Sequence, residues 1–312
     1  MLRAFLLCLT MSVFLVGCVS LPRSSSHNWK APLNQSHALV GSVWDVREAR
    51  PVTEAELLQT LSHSQYVLLG EKHDNPDHHQ LQAFVLQKLR DQGALSSVSF
   101  EMLDNSQRDA LLSVTPEVLS SMDALKSHLS WDDDGWSWDY YGPMLYEALQ
   151  AGELVQAANI SSDELMAIYS GEESDAIKGR LRDAQLQRLE QEIDESHCGM
   201  LPQSQFAAMI RVQRSRDAQM AASLRNGASK GQGVQALIAG NFHARRDLGV
   251  PNYIEEGGDL VSLSFIELSA ESTSPSDYVE ALGADQPYDY LWFTPSVEPQ
   301  DYCAQLRAGA EQ

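Results

Sequence analysis

The stretch GEKHDNPDHH, residues 70–79, places one glutamate and three histidines within nine residues, directly after the apolar run YVLL. If strand geometry continues through residue 73, Glu71 and His73 project to one side while Lys72 points away. A carboxylate beside an imidazole can hold a metal ion or act as an oriented acid–base pair. Without such a role, Glu71 would cap a nearby helix and His73 would satisfy buried backbone. Asn75 and Pro76 have the types of an N-cap and a first helical residue, which puts Asp77, His78 and His79 in a first turn. Free N–H groups and the positive end of the helix dipole favour an anion there and disfavour imidazolium. His78 shares the face of Leu81 and Val85 and turns inward, open to core hydrogen bonding or to ligation. His79 lies about 100° further round, at the edge of the stripe, and reads as solvated.

Other chemistry-bearing residues also stand where apolar runs stop. Glu101 closes SVSFEM (97–102), where a lone buried carboxylate would be costly, so a cation or strong donor must face it; Arg216 and Arg245 are the structural candidates. Asn159 closes LVQAAN, and Asn241 and His243 follow VQALIAG within AGNFHARRDLGVPNY. Gly240 permits close backbone approach there, and His243 in a strand-to-helix loop reads as functional. The sixteen residues WDDDGWSWDYYGPMLY (131–146) hold three tryptophans and three tyrosines. They are either a core plug or a wall for a large flat ligand, with a tyrosinate available to iron. ESHCGMLPQ (195–203) sets His197 between two long helical patterns, either as an exposed loop residue or swung over the sheet edge. GxSxG, P-loop, GxGxxG and HExxH signatures are absent, so the common nucleophile, nucleotide and zinc-protease chemistries find no support.

Positioning these residues falls to five apolar runs of strand length, at 66–70, 97–102, 154–159, 234–240 and 260–268. Continuous rather than alternating apolarity means burial on both faces, hence a parallel sheet with helices above and below. The expected fold is α/β, an open, mostly parallel sheet flanked by helices; an α/β barrel would require eight strands. Carboxyl ends of parallel strands share one edge, which brings Glu71, Glu101, Asn159 and His243 together. HHQLQAFVLQKLRDQG (78–93) has helical spacing and ends at Gly93. Residues 161–230 interrupt the rhythm with long amphipathic patterns and read as a small inserted helical subdomain, dividing the α/β domain into 45–160 and 231–300. Residues 301–312 form a C-terminal tail.

At the amino end, Arg3 is followed by an apolar run, 4–16, too short to span a bilayer, so residues 1–17 read as a signal peptide. Leu15-Val16-Gly17-Cys18 resembles a bacterial lipobox, which implies lipidation at Cys18. Val at position 19, rather than Asp, points to the outer membrane, and residues 18–44 read as a tether rich in Ser and Pro. A formal charge of −21 argues against phosphate-backbone binding, and nucleic acid is an unsuitable partner. Cys198 and Cys303 are left in the mature chain, free to pair in an oxidising envelope or to remain separate thiols.

In motif order, GEKHDNPDHH, FEM, WSWDYYGPM, AAN, HCGMLP, RDAQMA and GNFHARRDLGVP resemble the ChaN family of haem-binding lipoproteins. That family is related to Tiki proteases, TraB proteins and erythromycin esterases. The resemblance covers residues 45–300 and implies haem as cofactor, a role in iron uptake, a homodimer holding two stacked haems, and an outer-membrane haem receptor as partner. It also implies a tyrosine iron ligand from one chain and a histidine from the other at the propionates. Tyr141 is the first candidate tyrosine and Tyr140 the second, while His197 and His78 compete for the histidine role. The hydrolases of the wider superfamily suggest a rival: Glu71, His73 and His243, with Glu101, holding a divalent metal whose bound water attacks an ester or peptide bond.

Overall fold

The computed structural model describes residues 27–171, 173–254, 258–283 and 286–299 together with 303, 304 and 307. The leader and Cys18 lie outside the described residues. Eight strands form one sheet: β1 (Val43–Asp45), β2 (Arg50–Val52), β3 (Tyr66–Glu71), β4 (Leu95–Asp104), β5 (Leu154–Asn159), β6 (Val234–Gly240), β7 (Leu260–Glu267) and β8 (Tyr290–Thr294). Their order is β2-β1-β8-β7-β3-β6-β4-β5, with β8 to β5 mutually parallel and β1 antiparallel to both its neighbours. All five expected strands are present, in a mostly parallel sheet flanked by helices. The three additional strands extend one side, where β1 and β2 are only three residues each and β8 has five.

The helices are α1 (Glu54–His63), α2 (Pro76–Asp91), α3 (Arg108–Leu112), α4 (Met122–His128), α5 (Trp138–Gln150), α6 (Ser162–Ser170), α7 (Asp183–Ser196), α8 (Gln203–Lys230), α9 (Asn241–Ala244) and α10 (Pro275–Ala281). None among the described residues is long and apolar enough to cross a membrane. Alternation along β3 feeds two cores. Val67 and Leu69 pack with Leu81, Val85, Phe100, Tyr141 and Leu145 beneath α2 and α5. Tyr66 and Leu68 pack with Met220, Ala221, Leu224 and Leu237 beneath α8. The 161–230 segment is helical, and its longest member, α8, lies directly on β4, β5 and β6 as the cover of the second face. Gly227 makes that approach possible, because a Cβ there would meet the Gln235 and Ser97 side chains.

Residues 27–44, expected as tether, pack onto the domain. The Lys30 and Ala31 amides donate to Asp77 at 2.7 and 3.0 Å, and Leu33 bridges to Ser296. Cys198, just beyond α7, is joined to Cys303 by a disulfide.

Candidate functional site

Strands β3, β6 and β4 are neighbours, so their carboxyl ends deliver Glu71, Gly240 and Glu101 to one place. Glu71 turns to the α2–α5 side and Glu101 to the α8–α9 side, because strand side chains alternate across the sheet. The expectation that Glu71 and His73 share a side holds, with His73 Nδ1 3.0 Å from Glu71 Oε1. The same oxygen accepts a 2.7 Å hydrogen bond from the Tyr141 hydroxyl. His79 Nδ1 lies 2.7 Å from Glu71 Oε2 without hydrogen-bond geometry, and its Nε2 donates to the His73 carbonyl at 2.9 Å.

On the opposite face His243 lies between two carboxylates, with Nδ1 2.6 Å from Asp217 and Nε2 3.3 Å from Glu101. The partner of Glu101 is therefore neither arginine that the sequence suggested. Arg245 forks onto Asp247 and reaches Glu192, while the second oxygen of Glu101 accepts from the Gly240 amide at 2.7 Å. Gly240 lets the halves meet, since a Cβ there would lie 2.7 Å from His73 Nε2 and 3.7 Å from Glu101 Oε2. The result is a row of alternating carboxylate and imidazole groups, Asp217, His243, Glu101, His73, Glu71 and His79. Only the His73 side chain, 42% exposed, has substantial access to water; the other five are buried.

Burial would raise the Glu71 carboxyl, but His79 and His73 outweigh it and hold it at about 2. Glu101 is likewise held at about 2 against burial by His243, His73 and the Gly240 amide. Burial would lower His243, yet the charges of Glu101 and Asp217 push it up to about 10, so both ring nitrogens carry protons. Asp217 goes up to about 6 because its burial exceeds the pull of His243. His73 is also raised: burial opposes its charge, and its bond to Glu71 with the nearby Glu101 prevails. His73 connects the row to solvent.

His78 is wholly buried: its Nδ1 accepts from the Lys72 amide at 2.8 Å and its Nε2 donates to Thr294 Oγ1 at 3.0 Å. Burial pushes it down to about 3, so it is a neutral residue of the core. His79 differs from its solvated expectation: it is 4% exposed, faces Glu71 and stacks on Tyr140 at 4.3 Å. His197 caps α7, its Nδ1 bonded to the Ile193 carbonyl at 2.7 Å. Asn159 donates to the Glu101 carbonyl, and Asn241 to that of Phe265, so both hold backbone. Tyr141 is fully buried, and burial together with Glu71 drives its phenol strongly upward. Tyr140, half-buried on the first turn of α5, makes no hydrogen bond through its hydroxyl among the described residues. Asp217 lies within the RDAQMA motif, but nothing in the sequence assigns it a role or a partner; only the packing of α8 on the sheet brings it to His243.

Two hollows adjoin the row. One of about 390 Å³ is lined by Glu71, Lys72, His73, Phe242, His243 and Phe265, among others. The other, of about 470 Å³, is lined by Glu101, Trp131, Trp136, Asn159, Ser162 and Arg216, among others. Among the described residues no group of three or more His, Cys, Asp or Glu is arranged to hold a metal ion. The divalent-metal alternative thus lacks a ligand set: the lone pairs that Glu71 and Glu101 would offer face imidazoles, a phenol and an amide.

A family model described as haem-binding uptake, Tiki superfamily, ChaN matches residues 57–254, more than half of the 312 residues. No curated protein sequence matches the chain significantly. Among solved structures, that of Campylobacter jejuni ChaN, described as binding haem cofacially, aligns with a TM-score of 0.65 and 20% identity over 80% of this chain and 95% of its own. The erythromycin esterase EreC in its open conformation aligns with a TM-score of 0.45 and 13% identity, over 80% of this chain and 95% of its own. The type III effector HopBA1 reaches 0.43 at 16% identity, over 77% and 92%.

Proposed function

This chain belongs to the ChaN family of haem-binding uptake proteins in the Tiki superfamily, and we propose on that premise that it binds haem at the carboxyl edge of its sheet. The observation that carries the reading is the state of the two candidate tyrosines. Tyr141 commits its hydroxyl to Glu71 behind the site, whereas Tyr140 leaves a half-buried phenol without a hydrogen bond among the described residues, stacked on His79, whose Nε2 bonds the His73 carbonyl. We assign Tyr140 as the iron ligand. Burial, then Asp74 and Asp139, raises its phenol, so the proton would leave only where a cation replaces it. A phenolate oxygen is a hard donor suited to ferric iron.

The residues present fit a haem in two further respects. Phe242, Phe265 and Ile266 give the smaller hollow an apolar wall, and Trp136 lies edge-on to His73 at 4.9 Å. Bound haem would supply the iron chemistry; this chain supplies the phenol, the apolar wall and His73, whose pKa is raised against burial by its bond to Glu71 and by Glu101. Pairing of two haem-loaded chains as a homodimer, anchoring through Cys18 in the outer membrane and handover to or from an outer-membrane haem receptor complete the proposal. They rest on the family and on the lipobox resemblance.

Hemin titration of the protein without its leader tests the binding. A saturable Soret shift is expected, and no shift would reject the reading. Tyr140→Phe should abolish the tyrosinate charge-transfer bands, whereas unchanged bands would move the ligand elsewhere.

A further inference from the structure

Among the described residues, one charge in the larger hollow is left without a partner. It lies between the end of β4, the 104–107 turn, the 128–136 loop and the start of α6, with Arg216 of α8 among its walls. Every other charged side chain lining it is engaged. Glu101 faces His243 and the Gly240 amide, Asp104 accepts from Ser106, Asp132 accepts from the Asp134 amide, and His128 bonds the Ala110 carbonyl. Arg216 makes no hydrogen bond or ion pair among the described residues; Asp217 acts on it at longer range, and the Arg216 Nε is buried without a partner. A buried guanidinium donor left unpaired costs free energy comparable to a lost hydrogen bond, so the position makes physical sense when an anion completes it.

Two further features select the ligand. Ser162, the first residue of the nine-residue α6, lines the same hollow and adds a hydroxyl to its polar wall. Part of the wall is apolar, with the flat indoles of Trp131 and Trp136 beside Met102, Leu129, Ile160 and Leu165, and the remainder is polar. Trp136 also touches His73, so this hollow and the one beside Phe242 meet at the same imidazole.

We propose that the hollow is a carboxylate subsite, in which Arg216 receives the carboxylate of a flat apolar ligand that extends past Trp136 towards His73. Arginine suits this task because its planar fork binds both carboxylate oxygens. The carboxylate is a propionate of haem, an assignment that rests on the function proposed above, and a free aromatic acid presents the same chemistry.

Hemin and its dimethyl ester, titrated against the wild type, Arg216→Gln and Arg216→Lys, separate the cases. The wild type should prefer hemin to the ester by about tenfold or more, the scale of one charge-assisted contact. Arg216→Gln should weaken hemin to the level of the ester and leave the ester unchanged, and Arg216→Lys should restore part of the preference. Thermal midpoints within a degree or two of wild type would exclude misfolding, and a variant that melts early is replaced by Arg216→Met. Equal binding of hemin by wild type and Arg216→Gln overturns the propionate assignment. If the wild type binds neither porphyrin, the haem reading fails by itself, and 2-naphthoate quenching of tryptophan fluorescence decides. Quenching lost in Arg216→Gln supports a subsite for free aromatic acids, and quenching that is absent or independent of Arg216 overturns the subsite.

Discussion

At the scale of single residues, the site is governed by which polar atoms are already committed. Tyr141 and Tyr140 are adjacent in sequence, yet one closes the hydrogen bonding of Glu71 and the other stacks on His79 with its hydroxyl unpaired. Tyr141→Phe should therefore leave the hemin spectrum unchanged while destabilising the fold by about 1.5–3 kcal/mol, the scale of a hydrogen bond to a buried charge. Urea denaturation measures the loss, and a change in the Soret band instead would place Tyr141 at the iron. His243 holds two buried carboxylates at once. Replacing it with Gln strands both, and a loss of about 3–5 kcal/mol is expected, the range for breaking a buried ion pair from one side. An unfolding free energy within 1 kcal/mol of wild type would mean that the pairs are not formed. His79 shows why residue-level reading stopped short. Its position on the edge of the helical stripe was legible, but the α5 aromatics that bury it come from sixty residues away.

Elements decide how closely those residues approach. Asn75 accepting from the Asp77 amide, with Pro76 following, starts α2 as its sequence requires, and this turn delivers His78 and His79 to opposite duties. At the end of β6, the absence of a side chain at Gly240 lets His73 lie against the strand next to Glu101. Gly240→Ala should push the His73 ring outwards. Its raised pKa would then fall back towards the ordinary imidazole value, because the carboxylates that raise it would be further away. Nuclear magnetic resonance titration of the His73 ring proton reads this directly, and an unmoved titration would show that the ring yields without leaving its partners. The disulfide from the end of α7 to residue 303 closes a separation of 105 residues. Disulfides typically stabilise by about 2–4 kcal/mol, and the longer loops lie at or above the upper end. Cys303→Ser should lower the thermal midpoint accordingly, and an unchanged midpoint would show that the cross-link contributes nothing to stability.

For the whole molecule, the row of buried charges sets the pH range of the fold. Glu71 and Glu101 are held near 2 from an ordinary 4.5, so their contribution is full above 4.5 and is lost as pH falls towards 2. His243 is raised to about 10 from 6.5, so its contribution is full below 6.5 and is lost as pH rises towards 10. His73 shifts the same way, whereas Asp217, raised from 3.8 to about 6, subtracts stability as pH rises through that interval. Urea midpoints should be highest near pH 4.5 and decline on both sides, above it through Asp217 first and then His243. A profile flat from pH 4 to 9 would show that the row is not ionised as described.

The sequence by itself determined the class of fold and where its polar groups lie. Continuous apolar runs specify two-faced burial, two-faced burial specifies a parallel sheet, and such a sheet must put Glu71, Glu101 and His243 at one edge. It did not reveal that β6 lies between β3 and β4, because strand order follows from how helices pack on each face and leaves no local pattern. Nor did it show the short strands β1 and β2 or the joining of Cys198 to Cys303, which depend on segments meeting across the fold. The tertiary structure alone decided the partners: that Glu101 meets a histidine and not an arginine, that Asp217 enters from the middle of α8, and that Arg216 is left unpaired among the described residues. Each depends on which faces of distant elements come together, and distance in space is not encoded in spacing along the chain.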